Sequence, residues 1–199
     1  MMEERKDMLR EAIRSRRSTR RYRQDPVPEE LLMEVVEAGR MAPSGNNRQD
    51  THLIIVADPQ YLYKLRGAMA GALANMTIQE NMSASLQGLI EQARAGVDVD
   101  VTYGAPVLIL AANKKSSDNA VADCACALQN MMLMAAACGL GSCWINQFAR
   151  FCEEPMLRSG MEALGLRADE GVYGALALGY AEKLETEPLP RTGNPVTRA

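Results

Sequence analysis

Residues 121–145, VADCACALQNMMLMAAACGLGSCWI, join the most apolar helical segment of the chain to a short extended segment. Residues 121–138 are apolar nearly all round a predicted helix, so they must be covered on every side, either within one domain or by another chain. Gly139-Leu140-Gly141 ends the helix, and the following residues through Gln147 form a predicted strand or extended segment. This part of the chain therefore predicts a helix that must be covered on all sides, followed by an extended segment.

Two polar residues of the same helix share one face. Asp123 and Asn130 lie seven positions apart, on one face, and each needs a polar partner if it is buried.

Outward from this helix, short apolar runs alternate with helical patterns. Residues 53–57 and 106–112 are predicted buried strands, and residues 172–180 are predicted to be a central strand buried on both faces. The core stripe of a second helix has the spacing i, i+3, i+4, i+7, and it consists of Leu32, Val35, Val36 and Gly39. Other predicted helices cover residues 3–14, 59–70 and 153–164. Residues 73–94 are predicted to form a mobile helical lid, and residues 185–199 an extended C-terminal tail.

Composition limits the class of protein. The chain has 199 residues, of which 47% are apolar, and this predicts one domain over residues 1–199. A net charge of -3 argues against a nucleic-acid partner. The charged N-terminus and the lack of a run of roughly 20 apolar residues predict a cytoplasmic protein with no membrane segment. Five cysteines without a CxxC pair are expected to be reduced, and a single histidine, His52, excludes a multi-histidine metal site, so no metal is predicted. We expect His52 to open a strand.

Six arginines fall within residues 14–23, RSRRSTRRYR, although the protein as a whole is acidic. Arginine offers a planar fork of donors that suits phosphate, and a neighbouring hydroxyl such as that of Ser18 can complete the shell. The segment therefore indicates a pocket for a phosphorylated cofactor. The alternative is that these arginines form only a solvent-exposed basic face at the end of a helix.

Three separated motifs together are typical of one family. They are Arg16-Arg17-Ser18-Thr19-Arg20, then the residues from Ala42 to Gln49, and then those from Gln129 to Ile145. In this order and spacing they resemble the FMN-dependent nitroreductase family over about residues 10–191. The resemblance implies an α+β fold, a three-layer α/β/α sandwich with a mainly antiparallel sheet. It also implies an interlocked homodimer with FMN at the interface between the two chains.

The resemblance also assigns cofactor-binding residues. Those expected at the phosphate and ribityl chain are Arg16, Arg17, Ser18 and Arg20, joined by Arg191. Those expected from the second chain, over the flavin, are Pro43, Ser44, Gly45, Asn47 and Gln49. Those expected beside the ring, with a backbone N–H facing the flavin N5, are Trp144, Ile145, Asn146 and Gln147. Trp144 has an alternative interpretation as a core tryptophan.

By the same resemblance, the protein takes electrons from NADH or NADPH. It would reduce nitroaromatics, quinones or other small electrophilic acceptors by ping-pong hydride transfer through FMN, with no obligatory catalytic side chain. The alternatives are a specialised relative, such as a reductive dehalogenase or a flavin-consuming enzyme, and a non-catalytic flavin-binding or helical interaction protein. One departure is that Gln49-Asp50-Thr51 stands where many members have Gln-Pro-Trp, which removes an aromatic side chain from one wall of the pocket.

Overall fold

A computed structural model describes residues 2–183, 187 and 190–198. The helices are α1 (Met2–Ser15), α2 (Glu29–Arg40), α3 (Pro59–Asn75), α4 (Ala84–Arg94), α5 (Ala120–Ala137), α6 (Gln147–Arg150) and α7 (Pro155–Glu162). The strands are β1 (His52–Val56), β2 (Val107–Lys114), β3 (Gly141–Ile145) and β4 (Glu170–Gly179). Residues Gly45–Asn47 form a single 3-10 turn. Residues 185, 186, 188, 189 and 199 of the predicted tail lie outside the described residues.

The four strands form one sheet in the order β1-β2-β4-β3, and every neighbouring pair is antiparallel. β2 and β4 occupy the centre, and almost every residue in them is buried. This agrees with their near-continuous apolar sequence, which is typical of strands covered on both faces. The predicted central strand at residues 172–180 is therefore confirmed, and so is the mainly antiparallel sheet.

Helices cover both faces of the sheet. Alternate residues of β2 supply two separate cores, with Leu108 and Leu110 on one face and Ile109 and Ala111 on the other. Helices α2 and α5 contribute the buried apolar residues of the second core, whereas α3, α4 and α7 contribute to the first. The three-layer α/β/α arrangement predicted from the resemblance is thus confirmed.

Asp123 and Asn130 of helix α5 both have polar partners, as expected. The Asp123 carboxylate is buried and accepts a hydrogen bond from the backbone N–H of Gly45 at 2.9 Å, and the Asn130 side chain donates to the carbonyl of Ala38 at 3.1 Å. In the described part of the chain, α5 is the one helix whose length and composition would allow it to cross a membrane. It packs against α2 and the sheet, as core helices of soluble proteins do.

The predicted stripe of α2 is confirmed, because its four residues are all buried. His52 does open β1, and its ring nitrogen Nδ1 lies 2.9 Å from the buried carboxylate of Glu170. The five cysteines are unpaired; Cys124, Cys143 and Cys152 are buried, but Cys126 is exposed on α5.

Residues 73–94 do not form one helix. Residues 73–75 end α3, and α4 begins only after Ser83, whose hydroxyl accepts a hydrogen bond from the Leu86 N–H at 3.4 Å. Leu73, Leu86 and Ile90 are buried in the core that α3 shares with the sheet. The segment is therefore packed down along part of its length, and its function as a lid stays a prediction.

Candidate functional site

The arginine segment extends along the edge of the sheet. Ser18 forms a parallel bridge with Ser142, and the Thr19 N–H donates to the Ser142 carbonyl at 2.9 Å. Further along, the Arg23 N–H donates to the carbonyl of Tyr180 at 2.9 Å. The segment therefore leaves α1 extended and lies beside the start of β3 and the end of β4.

Two local features explain this close approach. Tyr22 is buried, and its hydroxyl donates to the carbonyl of Ala177 at 3.2 Å, so it anchors the segment in the core. Gly141 provides the space, because a Cβ at this position would lie 2.5 Å from Oγ1 of Thr19. A glycine at the first residue of β3 is therefore required for the observed packing.

The segment lines a cavity of about 500 Å³. The other walls come from the end of α5, from residues 139–142 and from residues 181–183. Four of the predicted phosphate and ribityl residues line it together: Arg16, Arg17, Ser18 and Arg20. The cavity also includes Glu182 and Lys183 on its rim. The structure therefore brings four of the five residues of the first predicted set into one concave site.

The arginines give this site positive charge. Burial, and then the neighbouring Arg17 and Arg191, lowers the pKa of Arg16. Arg191 therefore lies close enough to Arg16 to lower its pKa, and its role at the phosphate stays a prediction. Within the described residues, neither Arg16 nor Arg20 forms a salt bridge with a carboxylate. A bound phosphate would supply the missing negative charge.

Arg17 makes a different set of contacts. Its Nε and Nη2 donate to the carbonyl of Glu187 at 3.0 and 2.5 Å, and its Nη1 donates to the carbonyl of Arg16 at 2.5 Å. These contacts attach the C-terminal segment to the arginine segment. In this arrangement most of the Arg17 donors are used by backbone carbonyls, whereas those of Arg16 and Arg20 face no carboxylate in the described chain.

The buried thiol of Cys143 on β3 lies in the core beside the arginine segment. Burial raises its pKa, although Arg20, a hydrogen bond with Ser18 and Arg16 act in the opposite direction. The thiol is therefore neutral at physiological pH, which fits a packing role.

The second predicted set lies on an ordered loop. The Gln49 N–H donates to the Ser44 hydroxyl at 3.0 Å, and the Asn47 N–H donates to the Ser44 carbonyl at 2.9 Å. Asn46, Asn47 and Gln49 have φ angles of 53°, 53° and 54°, a left-handed conformation that asparagine tolerates better than most residues. Pro43 is exposed. The bond from Gly45 to Asp123 fixes the loop to the first turn of α5.

Within one chain this loop is remote from the arginine segment. The loop contacts Asp123, near the beginning of α5, whereas the cavity is lined by Ala136, at its end. The two residues are thirteen positions apart, which corresponds to roughly 20 Å along a helix that rises about 1.5 Å per residue. The structure of a single chain therefore does not bring the two predicted sets together.

The third predicted set is only partly available to a ligand. Ile145 is 1% exposed, and its side chain belongs to the core, so it offers a ligand only its backbone. Trp144 is half-buried and packs over Gly174, where a Cβ would lie 2.8 Å from its Cζ2, so the core interpretation of Trp144 is supported by its packing. Asn146 is exposed at the end of β3, and Gln147 begins α6.

The sequence model of the nitroreductase family matches residues 13–180. The chain belongs to the nitroreductase family. It is accordingly an oxidoreductase of the nitroreductase type, as the three motifs predicted.

Individual nitroreductases agree with this. A nitroreductase from Bacteroides fragilis, solved with bound FMN, superposes with a TM-score of 0.85 and is 32% identical, covering 96% of this chain and 98% of its own. Nitroreductase NfnB of Mycolicibacterium smegmatis is 28% identical over 91% of this chain and 87% of its own length. The 4-nitrobenzoate reductase of Pseudomonas putida is 28% identical over 87% of this chain and 86% of its own.

The sequence patterns did not predict that Tyr103 lies beside this site of the nitroreductase. Tyr103 places its ring 5.9 Å from the guanidinium carbon of Arg20, and the Gln24 side chain donates to the Gly104 carbonyl at 3.0 Å. The signal in the sequence is an Asp-x-Thr pair, Asp100 and Thr102, which is typical of a side-chain-stabilised turn. No local pattern, however, predicts that this turn meets a segment about 80 residues earlier.

Proposed function

We propose that the protein is an FMN-dependent oxidoreductase that uses NADH or NADPH to reduce nitroaromatics, quinones or other small electrophilic acceptors. The observation that carries the proposal is the half-buried Arg16, which shares a cavity with Arg20 and Ser18 and lies near Arg191. The FMN bound to the Bacteroides fragilis nitroreductase and the nitrobenzoate reduced by the Pseudomonas putida relative support it.

The residues present fit the cofactor at its charged end. The guanidinium groups of Arg16, Arg20 and Arg191 suit a phosphate, and the Ser18 hydroxyl suits a phosphate or ribityl oxygen. FMN, when bound, supplies the hydride-transfer chemistry, and the protein binds and orients it. Beside the ring, we propose that the backbone at Ile145, Asn146 and Gln147 provides the polar contacts, because the Ile145 side chain is in the core.

We further propose a homodimer in which each site takes residues from both chains. If two α5 helices pack antiparallel, the loop at the start of one meets the cavity at the end of the other. This would bring Pro43, Ser44, Gly45, Asn47 and Gln49 of one chain to the arginine segment of its partner. Most of the exposed residues of α5 are small, as such packing requires; they are Val121, Ala122, Cys126, Gln129 and Ala137.

Helix α1 adds to the face that a second chain would cover. Met8, Leu9 and Ile13 are 68%, 56% and 54% exposed, which is unusual for large apolar side chains on one helix. We expect an interface above the roughly 2,000 Å² that is typical of obligate pairs. A flavin-loaded monomer at micromolar concentration in sedimentation experiments would contradict the dimer.

For the order of binding, we propose a ping-pong scheme in which the donor leaves before the acceptor enters. The residues around Trp144 would cover one side of the ring and residues 73–94 the other, so that only one open face remains. Parallel lines in double-reciprocal plots at varied acceptor concentration are expected, and intersecting lines would show that both substrates bind together.

The decisive experiment is the absorbance spectrum of the purified protein before and after anaerobic NADH or NADPH. We expect one FMN per chain, released by heat, and bleaching of the flavin band by at least one of the two donors. Yellow protein that neither donor bleaches would favour a non-catalytic flavin-binding protein. Recovery of FAD, or no flavin even after reconstitution with excess FMN, would refute the proposal. The five unpaired thiols suit a reducing compartment, and we propose that the protein is cytoplasmic.

A further inference from the structure

The turn that precedes β2 is held rigidly by side-chain contacts. The Asp100 carboxylate accepts hydrogen bonds from the Thr102 N–H at 2.8 Å, from the Thr102 hydroxyl at 2.6 Å and from the Gly104 N–H at 2.7 Å. Arg66 pairs with Asp100 at 3.2 Å and also donates to Thr102 Oγ1 and to the Ala105 carbonyl, both at 3.0 Å. The turn therefore has one well-defined conformation.

Tyr103 lies at the apex of this turn with a φ of 59°. Glycine and asparagine adopt this left-handed conformation readily, but a tyrosine does so only when its surroundings hold it there. Its ring is not a core residue, since it is 36% exposed. The backbone conformation alone would favour asparagine or glycine, so the ring needs another explanation.

The ring meets the arginine segment. The guanidinium carbon of Arg20 lies 5.9 Å from the ring centroid, within the range of a cation–π contact. A second contact, from the Gln24 side chain to the Gly104 carbonyl at 3.0 Å, joins the same two segments. The turn is therefore attached to the segment on both sides of the anchored Tyr22.

The geometry points to Tyr103 as a positioning residue, whose ring holds the Arg20 guanidinium at the anion end of the proposed flavin site. Arg20 is long, exposed and free of carboxylate partners within the described residues, so an unrestrained side chain would sample many rotamers. A ring presented on a rigid turn restricts those rotamers before the cofactor binds. The inference rests on the proposed function, because it assigns the anion to the FMN phosphate.

The backbone conformation supplies a variant that separates this role from a structural one. In Tyr103→Asn the ring is lost but the turn is relieved, so we expect the apoprotein to melt at or above the wild-type temperature. FMN should nevertheless bind about three- to tenfold more weakly, the loss of one exposed to partly buried cation–π contact. Tyr103→Phe retains the ring and should bind FMN within twofold of wild type. Tyr63→Asn, at an exposed tyrosine of α3 outside the arginine-lined cavity, is the matched control and should also bind within twofold.

A double-variant cycle shows whether the effect passes through Arg20. In an Arg20→Ala background, Tyr103→Asn should change the FMN dissociation constant by less than twofold. Unchanged FMN affinity in Tyr103→Asn alone would overturn the inference and leave the proposed function standing. The inference would also be overturned if Tyr103→Asn lowered stability and FMN affinity together. It would be overturned as well if Tyr103→Asn weakened FMN binding as much in the Arg20→Ala background as in wild type. Failure of the wild-type protein to bind FMN at all would instead refute the proposed function, and this inference with it.

Discussion

Replacing Gly141 by alanine tests whether cofactor binding depends on how closely the arginine segment approaches the sheet. The new Cβ would lie 2.5, 2.8 and 2.9 Å from Oγ1, Cγ2 and Cβ of Thr19. Rotation of the threonine side chain relieves at most one of the first two contacts and cannot relieve the third, because Cβ is fixed to the backbone. Since carbon atoms pack at about 3.5–4.0 Å, the backbone at Thr19 must move by roughly 0.6–1.1 Å.

This displacement affects the segment that holds the arginines. The bond from the Thr19 N–H to the Ser142 carbonyl, now 2.9 Å, would stretch well beyond a normal length of about 3.2 Å. Overpacking of this kind lowers stability by about 1–3 kcal/mol. If the shift also costs one hydrogen bond between an arginine and the phosphate, worth about 1.5–3 kcal/mol, FMN should bind at least about tenfold more weakly.

The assay is titration of apoprotein with FMN, followed by flavin fluorescence, together with thermal unfolding of the same samples. Gly67→Ala on α3 is the matched control, because its Cβ would meet nothing within 4 Å. It should leave FMN affinity unchanged and raise stability by up to about 1 kcal/mol through helix propensity. Adding Thr19→Gly to Gly141→Ala removes all three contacts and should restore part of the affinity. A dissociation constant for Gly141→Ala within twofold of wild type would refute the reasoning.

Two further predictions concern buried carboxylates. Asp123→Ala removes the acceptor for the Gly45 N–H and should weaken FMN binding in the proposed dimer by up to about 3 kcal/mol, whereas Asp123→Asn retains an acceptor oxygen and should lose less; equal FMN titrations of the two variants would contradict this. Burial opposes the charge of Glu170, but hydrogen bonds from His52 and from the Arg167 N–H outweigh it and lower its pKa. Its contribution to stability is therefore present above about pH 4.3 and is lost as the pH falls through the lowered folded-state pKa. Denaturant unfolding should give a larger free energy of unfolding for wild type than for Glu170→Gln at neutral pH, and this difference should shrink in acid. A difference independent of pH would count against the assignment.

Local patterns in the sequence were sufficient for most of the fold. The α2 stripe and the central strands follow from spacing and continuous apolar sequence, which depend on near neighbours alone. Asp123 was predicted to need a polar partner, but its identity, the Gly45 N–H, is set by tertiary packing across 78 residues. The end of α3 at Asn75 was missed because the polar residues after it have no sharp helix-stop signal.

The departure at Gln49-Asp50-Thr51 shows how the structure changes the meaning of a motif. Asp50 pairs with Lys114 at the end of β2 at 3.0 Å, and Thr51 lies beside the buried Cys124 of α5. The ion pair of Asp50 with the sheet thus helps to fix this part of the loop, where many members of the family have Pro-Trp. The loop keeps a defined position while the side chains at these two positions turn toward their own chain. Because neither Asp50 nor Thr51 has an aromatic side chain, any aromatic wall over the proposed flavin must come from other segments.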